Sequence, residues 1–176
     1  MKKILVVFLL GLLFGATAYG QDIRALEAQG YTVQEARGFV FGYQVIGQNL
    51  RGYISGPTTG WIAVGFNPSR RMRDANYVFG FVQNGQGVLR DDYGTSDTSH
   101  ASDESLGGTN DVRMISSSEE GGRTSFEFEI PLQTNDRFDR PLQVGQTYPI
   151  IWAFGPNNRD DFTTVHSRFG SFRMRL

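Results

Sequence analysis

Few side chains in this sequence could do chemistry, and two of them sit where their type is unexpected. Met72 lies in the polar stretch "NPSRRMRDAN" among three arginines, where a flexible thioether gains nothing from standing in water. His166, one of only two histidines, opens "HSRFGSF" shortly after the turn "GPNNRDD". Each has a plain structural reading by itself: the methionine folds back over a core, and the histidine ends a strand. Together they offer a thioether and an imidazole, an axial pair that holds haem iron in electron-transfer proteins. Both ligands are neutral, and the soft sulfur favours the ferrous state. With both axial positions filled, such a site would pass electrons and leave no position open for oxygen or substrate.

Other chemistries find less support. There is no cysteine, which excludes thiolate-held metals, iron–sulfur clusters, covalently attached haem and disulfides. No G-x-S-x-G elbow is present. Glu127 and Glu129 share one face of a strand, as paired glycosidase carboxylates could, but Phe126, Phe128 and Ile130 occupy its other face, so the glutamates read as the solvated side. Asp91, Asp92, Asp97, Asp103, Glu104 and Asp111 form an acidic region without EF-hand spacing. It reads as a solvated surface, with calcium as the lesser alternative. His100, set among Ser and Asp, is expected to be solvent-exposed. No catalytic residues are assigned, and the chain reads as a carrier or binding module, not an enzyme.

Residues 1–20 have the layout of a secretory signal peptide. Lys2 and Lys3 precede an apolar run over Ile4–Phe14, and "ATAYG" supplies small residues for a cut near Gly20/Gln21. The expected product is exported, periplasmic or extracellular, with no membrane span in the mature chain. Both lysines belong to that leader, so the remaining 156 residues hold 15 arginines against 18 carboxylates, a formal charge of −3. That balance argues against nucleic acid as a partner.

The elements that must position Met72 and His166 are strands. Phe39, Phe41, Tyr43 and Val45 alternate with period two, "LRGYISG" and "WIAVGF" follow, and "YVFGFVQ–NGQG–VLRDDYG" reads as a hairpin. "DVRMISSS–EEGG–RTSFEFEIPL" reads as a second hairpin, and "YPIIWAFG" and "HSRFGSFRMRL" as the last two strands. Residues 95–110 are expected to form a long surface loop. Residues 21–37 form an N-terminal arm, in which Ile23–Gln29 could make one or two helical turns, and residues 38–176 form one domain. Many short strands in a chain this size predict an all-β, antiparallel sandwich in which a loop methionine and a distant histidine converge at one end.

The ordered blocks "GPTTGWIAVGFNPS", "DANYVFGFV", "VLRDDYGT", "SHASDESLGGTNDV", "FEFEIPLQTNDRFDRPL", "YPIIWAFGP" and "VHSRFGSF" resemble the DOMON family over about Phe39–Met174. The resemblance implies an immunoglobulin-like β-sandwich. In haem-binding members it also implies a non-covalent b-type haem held between a methionine in the loop after the "GW" strand and a histidine near the start of the last strand. Those positions here are Met72 and His166. Trp61, Phe79 and Trp152 are expected to line the pocket. Arg71 and Arg168, with Arg70 and Arg73, are candidates for the haem propionates. The implied function is an exported cytochrome serving an unidentified redox partner. The rival is a non-haem DOMON module that binds a carbohydrate or another small ligand.

Overall fold

The strands at the centre of this molecule do not alternate, because both of their faces are covered. Every residue of Ile62–Phe66 is buried, and so is all of Asn76–Gln83 except its last residue. In an antiparallel sheet, continuous apolar runs of this kind mean that something packs on each side. The computed structural model describes residues 22–176; the expected leader and its cut lie outside the described residues.

A first helix, α1, covers residues 22–28. The strands that follow are β1 (Thr32–Ala36), β2 (Phe39–Ile46), β3 (Asn49–Gly56), β4 (Ile62–Phe66), β5 (Asn76–Gln83), β6 (Gln86–Tyr93) and the two-residue β7 (Ala101–Ser102). After the short helix α2 (Asp103–Leu106) come β8 (Arg113–Glu120), β9 (Arg123–Pro131), β10 (Thr147–Phe154) and β11 (Arg168–Arg175). They form a five-stranded sheet in the order β1-β2-β3-β9-β8 and a six-stranded sheet in the order β11-β10-β4-β5-β6-β7. All pairings are antiparallel, as in an immunoglobulin-like sandwich.

Both sequence-predicted hairpins are present. Asn84 and Gly85 take positive φ at the β5–β6 turn, the backbone that a two-residue hairpin demands. Residues 32–36 pair with β2, and Leu26 of α1 packs with Tyr31 and Val40, so this segment covers the outer face of the five-stranded sheet. The main core lies between the sheets: Phe39, Phe41, Leu50, Ile54, Val64, Phe66, Val78, Phe126, Phe128 and Ile150 are all inaccessible to solvent. Trp152 belongs to this core. Its ring stacks on Phe39 at 4.8 Å, and its strand partner is Val64, which also faces inward. The expectation that Trp152 lines a ligand pocket is therefore corrected: strand parity aims it between the sheets.

Candidate functional site

The outer face of the six-stranded sheet carries a second apolar cluster. Trp61, Ala63, Phe79 and Phe81 are buried there, with Ala153 and Phe162 packed against them. The register explains the grouping: Ala63 pairs with both Phe79 and Ala153, so the three share one face, opposite Val64 and Val78. Trp61 and Phe79 lie 4.6 Å apart, and Phe162 meets Phe79 at 5.3 Å and Phe81 at 4.9 Å. A sandwich normally leaves this face to water, so an aromatic group here needs a purpose beyond holding the sheets together.

His166 lies on the segment that covers this face. Asp161 accepts hydrogen bonds from the Thr163 and Thr164 amides and the Thr164 hydroxyl, which hold its carboxyl well below the usual range and fix the turn. The Thr164 carbonyl accepts from Trp61 Nε1 at 3.1 Å, and the Ser167 amide donates to the Phe154 carbonyl. Between these two anchors the His166 ring is exposed, 4.8 Å from Phe169, with Val165 and Phe169 also exposed.

Met72 lies on the β4–β5 connection and is half-buried. The Ala75 amide donates to the Met72 carbonyl, and Asp74 and Ala75 pair with Gly94. A Cβ on Gly94 would fall 1.8 Å from the Met72 carbonyl oxygen, so only glycine admits this approach. Asp74 accepts from Ser69 at 2.5 Å and from Tyr93 at 2.9 Å.

The two loops do not meet at one end of the sandwich, contrary to the sequence expectation. The Met72 loop leaves β4 at Phe66, whereas the His166 segment leaves β10 at Phe154, which pairs with Ile62 at the opposite end of β4. The strand between those ends is about 13 Å long at roughly 3.3 Å per residue.

Arg70 and Arg73 both pair with Asp97, which ties the Met72 loop to the segment after β6. Arg71 is exposed at φ 53°, and Arg168 is exposed at the start of β11.

His100 was expected in water and is instead folded onto the outer face. Its ring stacks on Phe79 at 5.1 Å, near Tyr77 at 6.0 Å, and its Nδ1 lies 2.5 Å from Asp92. Burial works against the Asp92 charge, yet hydrogen bonds from His100 and Arg90 hold its carboxyl below the usual range. The Arg90 guanidinium also sits 3.7 Å over the Phe162 ring. The Tyr77 hydroxyl is buried without a partner, and its pKa is pushed up by burial and by the nearby Asp92 charge. Phe162, Arg90, Asp92 and His100 were not assigned to the site from sequence. The available signal was parity: Arg90 and Asp92 pair with Phe79 and Tyr77 and must share their face.

The acidic region is not the solvated surface it was expected to be. Asp91, Asp92 and Asp103 are at most 1% exposed. Asp97 is spent on Arg70 and Arg73. Asp91 pairs with the inward-facing Val78, so it lies on the other side of the sheet from Asp92. Burial, then repulsion from neighbouring carboxylates, pushes Asp91 up to about 9 and Asp103 to about 7. Glu129, also expected in water, is buried under Arg51 and Arg113.

Among known proteins, the family model described as the DOMON domain matches residues 37–155, a span that includes Met72 and ends before His166. Two solved structures share the fold. The cytochrome domain of Myriococcum thermophilum cellobiose dehydrogenase aligns at 13% identity over 83% of this chain and 81% of its own, with a TM-score of 0.62. The cytochrome b domain of pyranose dehydrogenase from Coprinopsis cinerea aligns at 15% identity over 82% and 80%, with a TM-score of 0.58. At these identities the likeness carries the fold.

Proposed function

The chain belongs to the DOMON domain family, and from that premise we propose that it is an exported b-type cytochrome whose haem is held without a covalent bond between Met72 and His166. The observation that carries this reading is the aromatic outer face of the six-stranded sheet, flanked by a thioether loop at one end of β4 and an imidazole segment at the other. The chemistry of these residues suits a flat, largely apolar group: Trp61, Phe79 and Phe81 are aromatic, Phe162 packs over them and would turn aside to admit the group, and the Tyr77 hydroxyl is an orphaned polar atom nearby. The exposed imidazole of His166, beside exposed Val165 and Phe169, is free to turn toward such a group. When bound, the haem would supply a one-electron couple, held by Met72, whose soft sulfur would raise its potential, and by His166.

The protein's own part is to bind, orient and exclude water. The Asp161 turn and the Trp61–Thr164 hydrogen bond position the segment that carries His166. The Gly94 contact and the Asp97 pairs hold the Met72 loop. Arg90 and His100 close the far side of the aromatic face while sharing Asp92 between them. The fitting partner is a separate redox protein that gives or takes one electron, in the periplasm or outside the cell. Two further cytochrome domains with this fold are consistent with that assignment.

The test is the visible spectrum of protein produced with haem available, oxidised and reduced. A six-coordinate low-spin spectrum is expected, and Met72→Ala and His166→Ala should each abolish it. Met72→Ala should shift the spectrum and potential while changing unfolding stability by less than about 1 kcal/mol, since Met72 is only half-buried. A folded, colourless protein that takes up no added haem would sink the proposal. Binding of a sugar by that protein would favour the carbohydrate module.

A further inference from the structure

A second polar centre lies on the inward side of the six-stranded sheet, away from the aromatic face. Asp91 comes from β6, Asp103 from α2, Asp111 from the run into β8, and Asp139 from the connection between β9 and β10. Carboxylate oxygens of Asp91, Asp111 and Asp139 lie within 4.8 Å of one another. Asp103 is close enough to act on Asp91 through its charge. Four separate chain segments thus bring acids to one place, where mutual repulsion opposes the assembly.

The hydrogen bonds satisfy Asp111, which accepts from the Thr109 hydroxyl at 2.7 Å, and Asp139, but leave Asp91 and Asp103 short of partners. Asp91 accepts the Asp111 amide on Oδ2, but its Oδ1 is buried without a partner. Asp103, 0% exposed, has no partner on either oxygen. Asp139 accepts from Asn76 Nδ2 and the Thr134 hydroxyl, both at 2.5 Å, while Asn76 Oδ1 is left unpaired. Buried carboxylates are normally paired with a cation or coordinate a metal. Among the described residues no salt bridge joins an arginine to Asp91, Asp103, Asp111 or Asp139, and Arg140, next in the chain to Asp139, has its Nε buried without a hydrogen-bond partner. A cleft of about 470 Å³ lined by Gly107, Gly108, Asp111, Thr134 and Asp136 opens beside the group and gives it a route to solvent.

We propose that Asp91, Asp111 and Asp139 form a binding site for a calcium-like divalent cation, with the unpartnered Asp103 beside them and the Asn76 amide oxygen available as a neutral ligand. The donors are all oxygen, which selects a hard cation over zinc or copper. They come from loops and strand ends rather than from one rigid element, which suits the larger, more adaptable shell of Ca²⁺ better than the strict octahedron of Mg²⁺. Bound there, the ion would tie β6 and the two long connections together. The proposal does not depend on haem.

The experiment uses purified protein stripped with EDTA and assayed by thermal unfolding and titration calorimetry. Calcium at about a hundredfold excess over its Kd should raise Tm by about 5–10 °C, with one ion bound per chain, and Mg²⁺ at the same concentration should do less. Asp111→Asn, at the solvent-facing side of the group, should weaken Ca²⁺ binding at least tenfold, while Glu120→Gln, exposed at the end of β8, should leave it unchanged. Terbium luminescence from the unsubstituted protein, excited through its tyrosines and displaced by calcium, gives a reading that no variant's folding can confound. Stripped protein with no calcium-dependent Tm shift, no heat and no displaceable terbium signal would overturn the site. So would full calcium affinity in Asp111→Asn.

Discussion

Tyr77 carries a phenol whose ring belongs on the aromatic face but whose hydroxyl is buried with nothing to bond. An unsatisfied buried hydroxyl costs about 1–3 kcal/mol, so removing it should not destabilise the protein. Tyr77→Phe is expected to leave the denaturant midpoint unchanged or raised, by up to about 1 kcal/mol in unfolding free energy; a loss of more than about 1 kcal/mol would show that the hydroxyl has a partner in solution. His100 makes the complementary point. Its imidazole is held to Asp92 and stacked on Phe79, so a residue that composition assigns to water closes one side of the face. The other histidine, His166, stays exposed and available.

At the scale of elements, hairpin β8–β9 shows how a surface charge becomes structural. Glu129 alternates away from the core, yet Arg51 on β3 and Arg113 on β8 both reach it across the sheet. Hydrogen bonds from Arg113 and Arg51 hold its carboxyl below the ordinary glutamate value of 4.5. A depressed folded pKa contributes stability that is present above the unfolded value and lost as pH falls through the folded one. Glu129→Gln should therefore cost about 1 kcal/mol near neutral pH, and its gap from the unsubstituted protein should close as pH falls below about 4.5. Denaturant melts of both proteins across that range would check it, and a gap that widens on acidification would contradict it. The connections are equally built. The segment 95–110, which reads as plain polar loop, contains β7 and a capped turn of helix in which Ser102 accepts from the Ser105 amide and Gly107 closes the C-terminus at φ 89°.

The whole molecule has two apolar compartments with different work. Phe126, fully buried between the sheets, holds the sandwich together, and Phe126→Ala should cost about 3–5 kcal/mol. Phe79 faces the other way, against Trp61, His100 and Phe162. Phe79→Ala should cost less, about 1–3 kcal/mol, because Phe162 on the covering segment can settle into the gap, but it should weaken uptake of added haem strongly. Equal destabilisation by the two substitutions, with haem uptake untouched, would argue that the outer cluster is ordinary core. Among the described residues no helix is long and apolar enough to cross a membrane.

The sequence by itself determined the strand content, both hairpins and the inward face of β9, because period-two alternation and turn residues are local properties. It also singled out Met72 and His166 by residue type. Only the tertiary structure decided which way the all-apolar strands β4 and β5 turn their side chains, since a strand covered on both faces carries no alternation to read. Trp152 lies on β10, where Ile150, Trp152 and Phe154 face inward between half-buried neighbours, but the run "YPIIWAF" is apolar throughout and does not show which set faces the core. Arg90 and Asp92 take their place from the register across β5 and β6, and His100 is brought there by the pairing of the next two residues, Ala101 and Ser102, with β6. The acidic residues show the same limit. The clustering of Asp91, Asp111 and Asp139 depends on β6 and the connections before β8 and β10 packing together, and no local pattern records that convergence.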